Sequence, residues 1–281
     1  MSGFWGQSGH RLDASQCLVL TLSGHPFDSA GRIFLTSTFR YAPSISHGGV
    51  MDETETHVIG RHRIVLNFRD DVGPASAYSL LLAENIPDLT GKTAVDLGTG
   101  SGILAIVASL QGAKTVYLLD TYDKAITLAL ENGERNGVGD RLVHLPIGSA
   151  MLPLPAGKKV DVILSNPAQL PLPQQDRENS PFYAGPDGRW MLDALIREAP
   201  MKLNPSGHLL MTHNSLANLK KSLTMLKSVG LRPSILAERS IPFRPFIDRA
   251  WLDKLGGEAE ELYSVRNGIA YETLYVVDAT P

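Results

Sequence analysis

The stretch Thr93-Ala-Val-Asp96-Leu-Gly98-Thr99-Gly100-Ser-Gly102-Ile103-Leu-Ala-Ile-Val107 decides the fold of this chain. A short apolar run ends in an acid, three glycines follow at alternate positions, and an apolar helix pattern begins at Ile103. Strand, tight turn and helix in that order make the first crossover of a doubly wound α/β sheet. Glycines lack a Cβ, so such a turn lets the backbone approach a bound nucleoside. A dinucleotide fingerprint would want Gly or Ala where this chain has Ile103.

Working outward, strand and helix patterns alternate from Thr93 onward, the mark of a parallel sheet covered on both faces. Strands are expected at 93–97, 115–119, 142–147, 160–164 and 208–213. Helices are expected at about 103–111, 123–136 and 187–203, the last disturbed by Pro200. Leu216, Leu219, Leu223 and Leu226 recur at helical spacing before Gly230. Two more strands, 235–241 and 272–277, give room for a terminal antiparallel pair, with residues 243–268 as an insertion. Residues 1–75 read differently. The runs Cys17–Leu22 and Arg32–Phe39 and the alternation of Thr54–Phe68 around Gly60 are strand-like. The expected division is a β-rich N-terminal substrate or cap lobe over 1–75 and a sheet domain over 76–281, opening with a helix at 76–85.

Two later strands end in polar groups. Thr115-Val-Tyr-Leu-Leu-Asp120 places a carboxylate about twenty residues past the glycines, where a ribose-binding acid belongs. Val160-Asp-Val-Ile-Leu-Ser-Asn166-Pro167-Ala168-Gln169 ends in an Asn-Pro turn.

The D-x-G-x-G-x-G pattern of Asp96–Gly102 resembles motif I of class I S-adenosylmethionine (SAM) methyltransferases. Asn166-Pro167-Ala168-Gln169 resembles the Asn-Pro-Pro-Tyr motif of the branch that methylates planar or amide nitrogens. Phe182-Tyr183-Ala-Gly185-Pro186-Asp187-Gly188 is similar to a segment that follows this motif in release-factor glutamine methyltransferases. The resemblance covers roughly residues 73–215. It does not reach the N-terminus, where those enzymes carry a helical recognition domain. It implies an α/β fold with a Rossmann-like class I methyltransferase sheet, here joined to the N-terminal β-rich lobe, and SAM as cofactor. Cofactor contacts are implied for Asp96, Gly98, Thr99, Gly100, Gly102, Asp120 and Asn166. Ser149 stands where relatives often carry an acid for the adenine amino group. The Asn166 oxygen and the Pro167 carbonyl would accept hydrogen bonds from the target nitrogen and aim its lone pair at the methyl. Ala168 and Gln169 depart from Pro and Tyr, which removes an aromatic stacking surface. Gln169 would then bond a polar substrate, and Phe182 and Tyr183 would supply stacking.

Composition narrows the partners. The chain has 281 residues, 43% hydrophobic and 20% charged, as in ordinary globular proteins. A net charge of −3, without a Lys/Arg run beyond two, argues against a nucleic-acid partner. Cys17 is the one cysteine, which fits a reducing cytoplasm. No run approaches the ~18 apolar residues of a membrane span. The first residues lack a basic segment followed by an apolar core, so a secretory leader is not expected. The eight histidines have no metal-site spacing. His213, at a strand end, suits a turn role better than a substrate contact. The sequence thus reads as a SAM-dependent N-methyltransferase of a small polar molecule or natural-product intermediate. The alternative is N-methylation of a glutamine-type side-chain amide in a protein or peptide. An NAD-dependent oxidoreductase and an inactive SAM-binding module are the remaining readings.

Overall fold

The alternation around Gly60 builds the first element of the computed structural model, which describes residues 53–146, 151–155, 157–171, 184–243 and 262–281. Strands β1 (Glu53–Ile59) and β2 (His62–Phe68) pair antiparallel, with Ile59 opposite His62. Gly60 takes the left-handed φ of 57° that the tight connection requires. The expected strands near Cys17 and Arg32 lie outside the described residues.

The hairpin is bound into the sheet domain. Ile59, Ile64 and Leu66 share one apolar cluster with the helices α1 (Ala77–Ala83) and α2 (Ile103–Leu110). Its β2 edge is covered by the helix α3 (Asp123–Arg135) and the residue that caps it. Asn136 Oδ1 accepts the Val65 N–H at 3.0 Å, and its Nδ2 donates to the Val65 carbonyl at 2.8 Å. One turn earlier, Asn132 accepts the Asn67 N–H at 2.7 Å and donates to the Asn67 carbonyl at 3.0 Å. Two side-chain amides thus take the place of a neighbouring strand and satisfy a sheet edge. Asn132 Nδ2 also donates to the Ser101 carbonyl at 2.9 Å, which ties this edge to the glycine turn.

The main sheet contains β3 (Thr93–Leu97), β4 (Thr115–Leu119), β5 (Leu142–His144), β6 (Val160–Ser165), β7 (Leu203–Asn214), β8 (Arg232–Pro242), β9 (Ser264–Arg266) and β10 (Ile269–Thr280). Its order is β5-β4-β3-β6-β7-β10-β8, with β9 paired to β10. The first five strands of that order run parallel, and β10 is antiparallel to both β7 and β8. This is the expected Rossmann-like arrangement with its terminal antiparallel pair. The helices α4 (Trp190–Lys202) and α5 (Leu219–Ser228) complete the cover.

Three local expectations change. Pro200 does not break α4, because it falls in the last turn, where one hydrogen bond is forfeited. Leu216 does not open α5 but lies in a 3₁₀ turn over Ser215–Ala217. Asn218, at φ 56°, then starts the helix by accepting the Lys221 N–H. The insertion ends earlier than 268, since β9 has already returned to the sheet, while 244–261 lie outside the described residues. No described helix is long and apolar enough to cross a membrane.

Asn132 is fully buried, and truncating it strands one N–H and two carbonyls. Asn132→Ala is expected to cost about 2–4 kcal/mol in urea unfolding, and the half-buried Asn136→Ala about 1 kcal/mol. An unchanged midpoint for Asn132→Ala would show that the hairpin does not depend on this bracket.

Candidate functional site

The strand order reverses between β3 and β6, and an open α/β sheet binds its ligands at the carboxyl ends of strands at such a point. The register sets the two ends level, with Asp96 opposite Leu164 and Leu97 opposite Ser165. Ser165 Oγ donates to the Leu97 carbonyl at 2.9 Å where the glycine turn departs.

That turn is tied down at three successive residues. The Gly98 and Thr99 N–H groups donate to the Leu119 carbonyl at 2.7 and 3.1 Å, and the Gly100 N–H donates to Asp120 Oδ2 at 3.0 Å. Gly98 and Gly100 have φ of 76° and 51°, and a Cβ on either would point into open space. Gly102 differs, because its Cβ would come within 2.9 Å of the Ala129 Cβ. Two glycines therefore form a cradle, and the third lets α2 pack against α3.

Asp96 lies wholly buried beneath the cradle. Its Oδ2 accepts from Thr99 Oγ1 at 2.8 Å and from the Ala105 N–H at 3.1 Å. Its Oδ1 has no hydrogen-bond partner among the described residues. Burial raises its pKa to about 7; the bonds from Thr99 and Ala105 oppose that rise, and nearby Asp120 adds to it. Asp96 and Thr99 thus hold the shape of the turn from within. Asp120 is partly exposed, and its carboxylate is oriented by the Gly100 N–H and by the Tyr122 N–H at 3.0 Å. An open glycine cradle, an uncompensated carboxylate below it and a preset carboxylate beside it fit SAM, which is cationic and carries a ribose.

Across the switch point, Asn166 is half-buried at the end of β6. Its Oδ1 accepts from Thr212 Oγ1 at 2.7 Å. Its Nδ2 donates to Ser79 Oγ at 2.9 Å and to Ser76 Oγ at 3.2 Å. Ser76 is also the N-cap of α1, so this helix is docked directly on Asn166. A buried bond of 2.6 Å from the Tyr78 hydroxyl to Glu272 holds the same helix to β10.

Gln169 is not placed to meet a substrate. It is 5% exposed, and both ends of its amide are committed. Its Nε2 donates to Thr212 Oγ1 at 3.0 Å, and its Oε1 accepts the Asn214 N–H at 2.7 Å. Asn214 Nδ2 returns a bond of 3.2 Å to the Gln169 carbonyl. The altered motif is a brace between the 166–169 turn and β7. The Gly185–Arg189 segment backs it, since a Cβ at Gly188 would lie 2.6 Å from the Gln169 carbonyl oxygen. Arg189 is buried, donates to the Ala217 and Asn218 carbonyls and pairs with Asp193 at 2.6 Å.

His213 is likewise internal, with Nδ1 2.6 Å from the Asn214 carbonyl and Nε2 2.8 Å from Ser222 Oγ. Burial lowers its pKa to about 4, so it stays neutral. Ser149, Phe182 and Tyr183 lie outside the described residues. Among the described residues no cluster of His, Cys, Asp or Glu could hold a metal ion. Ser76, Ser79, Thr212 and Asn214 join the site only through tertiary structure; their one sequence signal is the polar run Thr212-His213-Asn214 closing an apolar strand.

A family model described as ribosomal protein L11 methyltransferase (PrmA) matches residues 74–172. Over 193 residues the chain is 31% identical to a Methanocaldococcus jannaschii protein bearing the provisional name protein N5-glutamine methyltransferase, covering 67% of this chain and 95% of that one. It is 32% identical over 176 residues to the ribosomal protein L11 methyltransferase of Vibrio parahaemolyticus, covering 61% of this chain and 53% of that one. The chain thus spans about half the length of the L11 enzyme. Among solved structures, the T. thermophilus 16S rRNA N2 G1207 methyltransferase in complex with AdoMet and guanosine has a TM-score of 0.52, with 17% identity, over 86% of this chain and 53% of that one. At that identity the likeness is one of fold.

Two buried groups give opposed pH effects. Asp96 binds its proton more tightly in the folded state, so its contribution falls as pH rises from about 4 to 7. His213 binds its proton less tightly when folded, so its contribution rises from about 4 to 6.5. In the wild type the two oppose each other across this window. Asp96→Asn is expected to leave the His213 effect exposed, so that stability drops on acidification by up to about 1.4 kcal/mol per pH unit. Urea unfolding at several pH values checks this; a variant profile as flat as the wild type's would contradict it.

Proposed function

The chain belongs to the class I SAM-dependent methyltransferases, and from that premise we propose that it methylates a side-chain nitrogen of a protein or peptide, a glutamine-type amide foremost. The observation that carries this reading is Asn166, held at the switch point beside the glycine cradle with its amide oriented from both sides. Two considerations move the reading away from a small polar molecule. Gln169, on which polar-substrate selection depended, is a brace. The relatives that align with the core are named for protein substrates.

In this proposal Gly98, Gly100 and Asp120 hold the cofactor, Gly102 and Thr99 shape its loop, and Asp96 offsets its positive charge. Ser149 stays the expected adenine contact. SAM supplies a methyl carbon made electrophilic by the adjoining sulfonium. Asn166 Oδ1 and the Pro167 carbonyl accept hydrogen bonds from the target nitrogen, fixing its plane and the direction of its lone pair. Phe182 and Tyr183 stay the expected stacking residues. The work of the residues is orientation, worth several kcal/mol when the reacting atoms are held in line. His213 is spent on Asn214 and Ser222, so the departing proton does not go to it.

Methyl-labelled SAM incubated with the full chain and a cell lysate is expected to label protein. Acid hydrolysis should then release labelled methylamine, which an N-methyl amide yields and a methylated amine does not. Label confined to small molecules would overturn the reading. Asn166→Ala is expected to lower the transfer rate about 100-fold with SAM affinity nearly unchanged. Asp120→Ala is expected to weaken SAM binding about tenfold or more by calorimetry. Wild-type transfer by the first variant, or wild-type affinity in the second, would remove that residue from its role.

A further inference from the structure

The bonds around Asn166 form a directed chain whose starting polarity is fixed by covalent structure. The Asn214 backbone N–H is a donor only, so the Gln169 atom 2.7 Å away is the oxygen Oε1. That turns the Gln169 NH₂ toward Thr212, whose hydroxyl accepts at 3.0 Å. Thr212 is 1% exposed, and its single proton is directed at the Asn166 atom 2.7 Å away. That atom is therefore the oxygen Oδ1. The Asn166 NH₂ must then face α1, where the Ser79 and Ser76 hydroxyls accept from it at 2.9 and 3.2 Å.

A side-chain amide has two donor protons and two acceptor lone pairs. At Asn166 the amide nitrogen faces the two serine hydroxyls and one lone pair of Oδ1 is used within the chain. The remaining acceptor capacity is one lone pair on Oδ1. We propose that Gln169 and Thr212 are positioning residues that set the polarity of Asn166, so that it offers a substrate one acceptor and selects a nitrogen still bearing hydrogen. This rests on the reading of Asn166 as the group that holds the target nitrogen. It makes a primary amide or a neutral primary amine acceptable and a tertiary nitrogen unacceptable, since the latter brings no proton to the open lone pair. It also gives Gln169 a purpose: its NH₂ orients the Thr212 hydroxyl.

The test uses the full chain with three substitutions. Thr212→Val keeps the shape and removes the hydroxyl, and Gln169→Glu removes the donor that Thr212 accepts. Thr212→Ser restores the hydroxyl. Initial rates of label transfer from SAM, across a dilution series of lysate protein, separate maximal rate from apparent affinity. Thr212→Val and Gln169→Glu are expected to lower the maximal rate about tenfold, with SAM affinity within about twofold, and Thr212→Ser to restore it to within about threefold. Hydrogen exchange of the Asn166 side-chain protons, assigned by their loss in Asn166→Ala, gives a readout that needs no substrate. Slow exchange in the wild type and fast exchange in Thr212→Val support the relay. Wild-type transfer by Thr212→Val, a Thr212→Ser that fails to restore the rate, or fast exchange in the wild type overturns it. If the wild type labels no protein, the protein-substrate reading falls, and the exchange measurement alone decides the relay.

Discussion

The parallel register of β3, β6 and β7 is the constraint on which the rest depends. Leu97 lies opposite Ser165, and Ser165 lies opposite Met211, so β3 and β6 finish level with Met211 while β7 runs on to Asn214. The next residue on β6 is Asn166, and the next on β7 is Thr212. Strand pairing alone therefore sets the glycine turn, the Asn-Pro turn and the Thr212 hydroxyl side by side. A slip of one residue in β7 would turn Thr212 to the opposite face and leave Asn166 without its donor.

Above that level the protein spends much polar chemistry on itself. Buried polar groups are tolerated when they are hydrogen-bonded, and Gln169, Thr212 and Asn214 are linked to one another and to Asn166. Asp96 Oδ1 is an exception, buried beneath the cradle without a hydrogen-bond partner among the described residues. An uncompensated carboxylate in an apolar setting is unfavourable in isolation. It becomes intelligible if the turn above it receives a cation, and the same carboxylate also holds Thr99 and the first turn of α2 in place.

The outer elements are secured to this centre through few, specific links. Asn132 joins the β2 edge to the Ser101 carbonyl of the glycine turn, so hairpin and cradle share one side chain. The helix α1 is held from two sides, by Asn166 on its Ser76 and Ser79 hydroxyls and by Glu272 on Tyr78. These links give the segment preceding the glycine turn a fixed place over the switch point. A methyl transfer that depends on alignment gains from such fixity, because small displacements of a reacting atom are costly.

The sequence by itself determined the strand–turn–helix at Asp96–Gly102, the carboxylate of Asp120, the Asn166-Pro167 turn and the alternation that makes a parallel sheet. Each depends on neighbours in the chain, through backbone freedom at glycine, apolar periodicity or a strand end. Tertiary structure decided what those residues do to one another. Gln169 read as a substrate contact because nothing nearby in sequence offers its amide a partner, whereas pairing of β6 with β7 supplies Thr212 and Asn214. Gly102 read as part of the cradle, yet it serves the contact between α2 and α3, which only helix packing reveals. The hairpin read as part of a separate lobe because its alternation is local, while the residues that pin it, Asn132 and Asn136, lie 65 and 71 positions away. Local signals fix elements and strand ends; long-range pairing assigns the polar side chains their partners, and through them their roles.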